Sequence, residues 1–358
     1  MDSANKKIAV AMSGGVDSTL AAAQLQAAGS EVVGLWMQTV GEGTPETNPS
    51  FREASAAAAA LGIPLTAVDL RVPFQMEIMA YFLGEYLAGR TPNPCCLCNP
   101  RIKFGLLMEK ALASGADLFA TGHYARVLWD AEQGRFALLR GLDKKKDQSY
   151  FLWGLSQEQL ARCCFPNGEL TKAEVRKMAR QRGLPVSERG ESQDICFLPD
   201  GDYRSFLTEA LPEKSAAEGP IVNMAGRVLG RHKGVFGFTI GQRQGIGVPA
   251  TRPYYVLRID PTANRVVVGP KEELLAAGLK AHGMRWISIP SPQVGLKALG
   301  QIRYRHCAAP CEVTPCAEGE VVVRFDEPQG AITPGQALVL YQEDRVLGGG
   351  WIREVCRG

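Results

Sequence analysis

No apolar run in the chain reaches the roughly 18 to 20 residues that a membrane-crossing helix requires, so no membrane partner is expected. The opening "MDSANKKIAVAM" lacks the charged start, long apolar stretch and cleavage site of a secretory signal. That predicts a cytoplasmic protein, in which a permanent disulfide framework is out of place. Strong charge is missing too: the net value of +3 is too small to argue nucleic-acid binding from composition alone. There is no internal repeat, and no low-complexity tract longer than the alanines at 56–60, which excludes solenoids and long coils. With 46% apolar and 22% charged residues the chain is an ordinary globular protein rather than a disordered one. Its 358 residues exceed what one core organises, so two or three domains are expected.

What the chain does have is cysteine in an uneven pattern. Of ten cysteines, three fall within "NPCCLCNPRIKF" at 93–104, as Cys95, Cys96 and Cys98. Such a cluster suits a staple, a metal site, a redox pair or a sulfur-handling catalyst, and spacing alone leaves these open. Cys163, Cys164, Cys307, Cys311, Cys316 and Cys356 read as bystanders.

The first 120 or so residues alternate β-branched runs with helical-period segments, the signature of an α/β fold with a parallel sheet. "IAVAM", "EVVGLWM", "PLTAVDL" and "DLFATGHY" read as strands, with helices predicted at 17–29, around "FREASAAAAALG" and around "KFGLLMEKALASGA". Residues 126–140 read as a hairpin, and Thr171 with Glu174 predicts a capping box opening a helix that Gly183 and Pro185 stop. Beyond about residue 200 glycine, proline and short alternating strands take over, which predicts β-rich appendages ending in a small barrel or sandwich. The expected division is 1–199, 200–277 and 278–358. Residues 38–52 carry no assignable pattern and read as a loop near the nucleotide site.

Between the first strand and first helix lies "AMSGGVDST", residues 11–19. A strand-to-helix junction gathers backbone N–H groups and the positive helix end, and Gly14 and Gly15 let a phosphate approach. Ser13 and Ser18 offer hydroxyls, and Asp17 suits a magnesium ion bridging phosphates. The loop is neither a Walker A motif nor a dinucleotide fingerprint, and the plain alternative is a glycine turn.

"SGGVDS" resembles the pyrophosphate-binding loop of the N-type ATP pyrophosphatases. Further stretches, "GRTPNP..LCN..IKF", "ATGHYAR", "LLRGLDKKKDQSYFL", "ICF", "TIGQRQGIGV", "IRYR" and "FDEP...ITPGQALVLY", resemble the tRNA-specific 2-thiouridylases of the MnmA type, in the same order along nearly the whole chain. The resemblance implies a PP-loop ATP pyrophosphatase domain, a central adaptor and a C-terminal tRNA-binding barrel. ATP would be bound by Ala11, Met12, Ser13, Gly14, Gly15, Val16, Asp17 and Ser18, with Met37 and Gly122 at the adenosine. ATP would adenylate the C2 oxygen of the wobble uridine, and sulfur would arrive as a persulfide on Cys196 with Cys98 as its partner. A cysteine desulfurase or sulfur-relay protein would load it. Asn93, Pro94 and Cys95 would meet the target base; His123, Lys146, Asp147, Gln148, Arg303, Tyr304 and Gln336 would contact the tRNA.

One position departs from the pattern. Where many members carry aspartate this chain has Cys95, which removes a candidate proton shuttle and adds a third thiol. Cys95, Cys98 and Cys196 would then suffice to ligate a [4Fe-4S] cluster with one open iron, a second route for sulfur. Outside the resemblance, an ATP-dependent amide ligase shares the glycine loop without needing the cysteines, and a non-catalytic metal- and RNA-binding protein needs no pyrophosphate cradle.

Overall fold

The computed structural model describes residues 5–185, 195–198, 201–211, 217–249 and 251–357. The N-terminal sheet is built from β1 (Lys7–Ala11), β2 (Glu31–Gln38), β3 (Leu65–Asp69), β4 (Leu118–Ala120) and the short β7 (Cys163–Cys164), in the order β3-β2-β1-β4-β7. Every pairing in it is parallel. Ile8, Ala9 and Val10 are buried in succession, which is what a central strand covered by helices on both faces requires.

Helix α1 (Val16–Ala27) follows β1, and α2 (Pro49–Leu61) follows β2. Asn48 caps α2 by accepting from Ser50 N at 3.0 Å, Pro49 occupies the first helical position, and Gly62 closes the helix at φ +65°. The unpatterned 38–52 stretch is thus partly helix: a 3-10 turn at Pro45–Thr47 and then the first turn of α2.

The region 71–113 is more helical than its sequence suggests. α3 (Arg71–Phe74) and α4 (Ala80–Leu87) flank a π-helical turn at Gln75–Met79. α5 (Pro94–Cys98) runs through a π-helical segment, Asn99–Leu107, into α6 (Met108–Ala113). The prolines at 94 and 100 read as punctuation, yet Pro94 sits at N1, where a missing N–H costs nothing. Two carbonyls of the π-helical segment find a donor from outside: Gln159 Nε2 reaches Pro100 O at 2.8 Å and Phe104 O at 2.9 Å. Gln159 belongs to α7 (Gln157–Arg162), and α8 (Lys172–Gln181) opens with the expected Thr171–Glu174 capping box.

The C-terminal unit is a closed antiparallel barrel of β12 (Leu275–Trp286), β13 (Leu296–Gln301), β14 (Ala309–Ala317), β15 (Glu320–Gly330), β16 (Ala337–Gln342) and β17 (Arg345–Cys356). Strand β12 pairs with both β15 and β17, which removes the free edge. The expected boundary at 277–278 falls inside β12, and the one at 199–200 lies outside the described residues. A four-stranded sheet of order β10-β11-β8-β9 lies between, from β8 (Gly219–Val222), β9 (Val228–His232), β10 (Tyr255–Asp260) and β11 (Arg265–Gly269). Helix α9 (Tyr203–Ala210), capped by Asp202, leads into it. The chain is therefore an α/β unit followed by two β-rich ones. Among the described residues no helix is long and apolar enough to cross a membrane.

The first and last units are stitched together. The hairpin β5 (Ala125–Asp130) and β6 (Arg135–Arg140) leaves the parallel sheet and extends the barrel, pairing Leu138 with Val346 and Leu139 with Arg345. The Arg140 guanidinium lies 3.5 Å over the Tyr341 ring. One apolar cluster contains Phe74, Phe82, Cys96 and Tyr150 together with Val339 and Tyr341 of β16.

Candidate functional site

At the end of β1 the chain turns through Met12–Gly15 into α1. Gly14 adopts φ +81°, and a Cβ there would stand 2.6 Å from Glu53 Cβ, so both torsion and space demand glycine. Ser13 N donates to Ser18 Oγ at 3.2 Å, and Ser18 Oγ donates back to Gly15 O at 3.1 Å, which closes the loop on itself. Gly15, the N-cap of α1, supplies no side-chain cap, so the first-turn N–H groups keep their capacity for an anion. Gly122 packs against this turn, where a Cβ would lie 2.6 Å from Asp17 C. Met37 is half-buried at the end of β2, in register with Val68.

Asp17 behaves differently from the expectation of a magnesium ligand. Lys172 Nζ donates to both its carboxylate oxygens at 2.7 Å, and the Tyr124 hydroxyl donates to Oδ1 at 2.7 Å. Asn167 Nδ2 also reaches the Asp17 carbonyl at 2.9 Å. A carboxylate held by an ammonium and a phenol is not presented to a cation, so the residues as arranged do not fit magnesium. Nothing in the sequence separated Lys172, Tyr124 and Asn167 from surface and core, because each lies more than 100 positions from Asp17.

The cysteines come from two segments. Cys95 and Cys98 are half-buried on α5, three residues apart and so on one helix face, whereas Cys96 is buried with Sγ 3.7 Å from Tyr150 O. Cys196 is held by its neighbour Phe197, whose ring lies 5.7 Å from Phe74, 5.2 Å from Phe82 and 5.5 Å from Phe206. Burial pushes the Cys98 thiol up to about 12 and the Cys95 thiol up to about 11 from an ordinary 9.0. The Lys103 ammonium opposes both shifts, while the charge of Cys196 reinforces them. Cys196 is exposed by area, yet protein mass around it raises its thiol as well, again against Lys103. Three thiols and one ammonium therefore feel one another's charge.

His123 joins this group to the glycine loop. Burial, then the charge of Lys103, holds its imidazole well below the usual range, so it is neutral, with Nδ1 2.6 Å from Thr121 Oγ1. Its ring stands 5.8 Å from Phe104, and the preceding Gly122 touches the turn at Asp17. The histidine, expected to contact tRNA, is half-buried beside Gly122.

The residues expected to grip RNA divide. Asp147 is turned inward, accepting from Gly141 N at 3.0 Å, Ser149 N at 3.0 Å and Arg140 Nη1 at 2.8 Å. Gln148 Oε1 accepts from Tyr124 N at 3.0 Å. Lys146 is half-buried in the same loop. Arg303 is exposed, and the Tyr304 ring lies 4.4 Å from Phe151. Gln336, at the barrel end, donates to Thr91 O at 2.9 Å and Pro92 O at 3.1 Å, directly before Asn93 and Pro94. Thr91 N in turn donates to Pro334 O at 3.0 Å. The barrel thus holds the irregular segment that feeds the cysteine helix, and the sequence offered no sign of that pairing across 245 positions.

Three family models match in chain order: a tRNA methyl transferase HUP domain over residues 6–200, a tRNA methyl transferase PRC-barrel domain over 204–270, and an aminomethyltransferase beta-barrel domain over 276–352. The tRNA-specific 2-thiouridylase MnmA of Syntrophotalea carbinolica is 49% identical over 98% of this chain and 100% of the relative. The chain belongs to the tRNA-specific 2-thiouridylase family. The 2-thiouridylase of Geobacter metallireducens is likewise 49% identical, over 98% of each chain. A solved structure, the U34-tRNA thiolase NcsA from Methanococcus maripaludis with its [4Fe-4S] cluster, matches 59% of this chain and 68% of its own at 18% identity and a TM-score of 0.37, too remote to carry functional weight.

For a thiouridylase the donor set at the cysteines bears on the sulfur route. Among the described residues no three or more His, Cys, Asp or Glu side chains are grouped closely enough to hold a metal ion. As placed, Cys95, Cys98 and Cys196 share an electrostatic environment without forming a ligand group, and the metal arrangement does not fit them.

Proposed function

We propose that the protein catalyses ATP-dependent 2-thiolation of the wobble uridine in tRNA, in the cytoplasm. The observation that carries this reading is the phosphate-ready glycine turn, closed by Ser18 and backed by Gly122, on the same unit as a helix that presents Cys95 and Cys98 on one face. An amide ligase would use the turn and leave the thiols without work; a non-catalytic metal- and RNA-binding protein would use the thiols and have no need of the turn. Membership of the thiouridylase family supports the same choice. The division into a catalytic unit 1–199, an adaptor 200–277 and a tRNA-binding barrel 278–358 is part of the proposal.

In the proposed sequence the loop from Ala11 to Ser18 holds the triphosphate, with the adenosine between Met37 and Gly122. The C2 oxygen of uridine attacks the α-phosphorus, pyrophosphate leaves and N3 loses its proton, which makes the C2 oxygen part of an AMP ester. A sulfur-relay protein or cysteine desulfurase loads Cys196 as a persulfide. The terminal persulfide sulfur attacks C2 and AMP departs. The Cys98 thiolate then attacks the Cys196 sulfur; the sulfur on C2 stays with the base, a Cys98–Cys196 disulfide forms, and an external thiol reduces it. The Cys98 and Cys196 thiols are pushed up by burial, so the positive charge of Lys103 is what favours their thiolates. Cys95 stands where a carboxylate is commoner and brings a third thiol to the same space.

Incubating the enzyme with ATP, tRNA and a persulfide donor and digesting the RNA for nucleoside mass spectrometry tests the reading. 2-Thiouridine with one AMP released per sulfur is expected. Absence of thiouridine under reducing, fully loaded conditions sinks the proposal. Anaerobic purification with iron and sulfide assay decides the sulfur route: stoichiometric iron lost on Cys95→Ala would replace the persulfide by the cluster.

A further inference from the structure

The stretch "TIGQRQGIGV", residues 239–248, has no part in the chemistry above. It folds as a shaped loop of the central unit leading towards β10. Thr239 N donates to Gln242 Oε1 at 3.1 Å, Gln242 Nε2 donates to Gln244 O at 2.9 Å, and Gly241 N and Val256 N tie the loop to the start of the strand at 2.8 and 3.0 Å. Gly245 and Gly247 take φ +70° and +78°, conformations that leave their backbone N–H groups bare of side chain. Around them opens a cleft of about 380 Å³ lined by Arg243, Gly245, Gly247, Arg252 and Tyr254, a size in the range of small-ligand sites.

The charge in this cleft is one-sided. No acidic side chain lines it, and among the described residues neither Arg243 nor Arg252 has an ion-pair partner. A third guanidinium, that of Arg204, comes near Gly245, with Nη1 3.8 Å from where a Cβ would be. Arg204 already has partners, its Nε donating to Gly237 O at 3.1 Å with the Asp202 carboxylate near it, so the unbalanced charge of the cleft is that of Arg243 and Arg252. Tyr254 is half-buried against the central core, so its ring is held rather than free to wander. Guanidinium groups beside a fixed aromatic ring and glycine N–H groups match a phosphate carrying a flat base.

We infer that this cleft binds a single-stranded nucleotide unit of the substrate RNA, its phosphate on Arg243 and Arg252 and its base on Tyr254. The inference rests on the tRNA-thiolation reading and extends it to the central unit. Filter binding of tRNA over a salt series, with free AMP as competitor, tests it on the full-length protein. The R243Q/R252Q double variant is expected to bind tRNA about tenfold more weakly, with the slope of log affinity against log salt reduced by about one. Tyr254→Leu is expected to weaken tRNA by about tenfold with the salt slope unchanged, the mark of lost stacking rather than lost charge. ATP affinity stays at the wild-type value in both. A double variant with wild-type affinity and slope overturns the inference, as does AMP that fills the cleft without displacing tRNA. Wild-type protein that binds no tRNA sinks the thiolation reading, and the inference with it; wild type that binds alongside an equally binding double variant sinks the inference alone.

Discussion

The glycine turn and the cysteine site lie on the same unit, yet they are made in opposite ways. The turn is local: Ser13, Gly15 and Ser18 bond to one another within six positions, and the adjoining helix supplies the N–H groups. The cysteine site is distributed. α5 is held by Gln336 before it and by Gln159 on the π-helical segment that continues it, while Cys196 arrives on a separate segment pinned by Phe197. A phosphate cradle needs only backbone direction, which a few residues dictate; the sulfur exchange proposed for the two thiols needs a rigid frame around both.

The largest effect expected in breaking this comparison is at the thiols. Cys98→Ser or Cys196→Ser lowers thiouridine formation by about three orders of magnitude or more, with ATP affinity by calorimetry unchanged. Equal loss of ATP binding would mean that the two sites are one. Gln336→Leu comes next: the lead-in to α5 loses two hydrogen bonds, and turnover falls about tenfold while tRNA affinity holds. A drop confined to tRNA affinity would return Gln336 to the RNA surface. Gly122→Ala drives a methyl into backbone at 2.6 Å, with an expected loss of about 1–3 kcal/mol read by denaturant unfolding and weaker ATP binding. Lys172→Met releases the Asp17 carboxylate; since Asp17 is about one-third exposed, about 1–2 kcal/mol is expected, seen as a lower melting temperature.

The smallest effect is in pH dependence. A thiol is reactive as its anion, and a raised value means less anion at any given pH below it. Iodoacetamide labelling of Cys98 is therefore expected to keep rising above pH 9, towards its value of about 12, where an ordinary cysteine levels off. Lys103→Gln shifts that curve further up. A plateau near pH 9 in both proteins would remove Lys103 from the site.

Much was legible without tertiary structure. Periodicity in the first 120 residues and the "SGGVDS" spacing specify the parallel sheet and its ligand turn, because strand, turn and helix preferences act over a handful of residues. The Thr171–Glu174 box and the hairpin at 126–140 followed from equally local chemistry. The helical nature of 94–102 was hidden, since Pro94 and Pro100 break helices except at the positions they occupy here.

By itself, then, the sequence determined that an α/β unit with a glycine turn after its first strand precedes β-rich ones and that thiols are on hand. Only the tertiary structure decided which thiol is sheltered, that Asp17 answers to Lys172, that Asp147 faces inward, and that a barrel glutamine steadies the cysteine helix. Those outcomes depend on hydrogen bonds and burial between segments tens to hundreds of residues apart, and no local preference encodes which distant donor meets which acceptor.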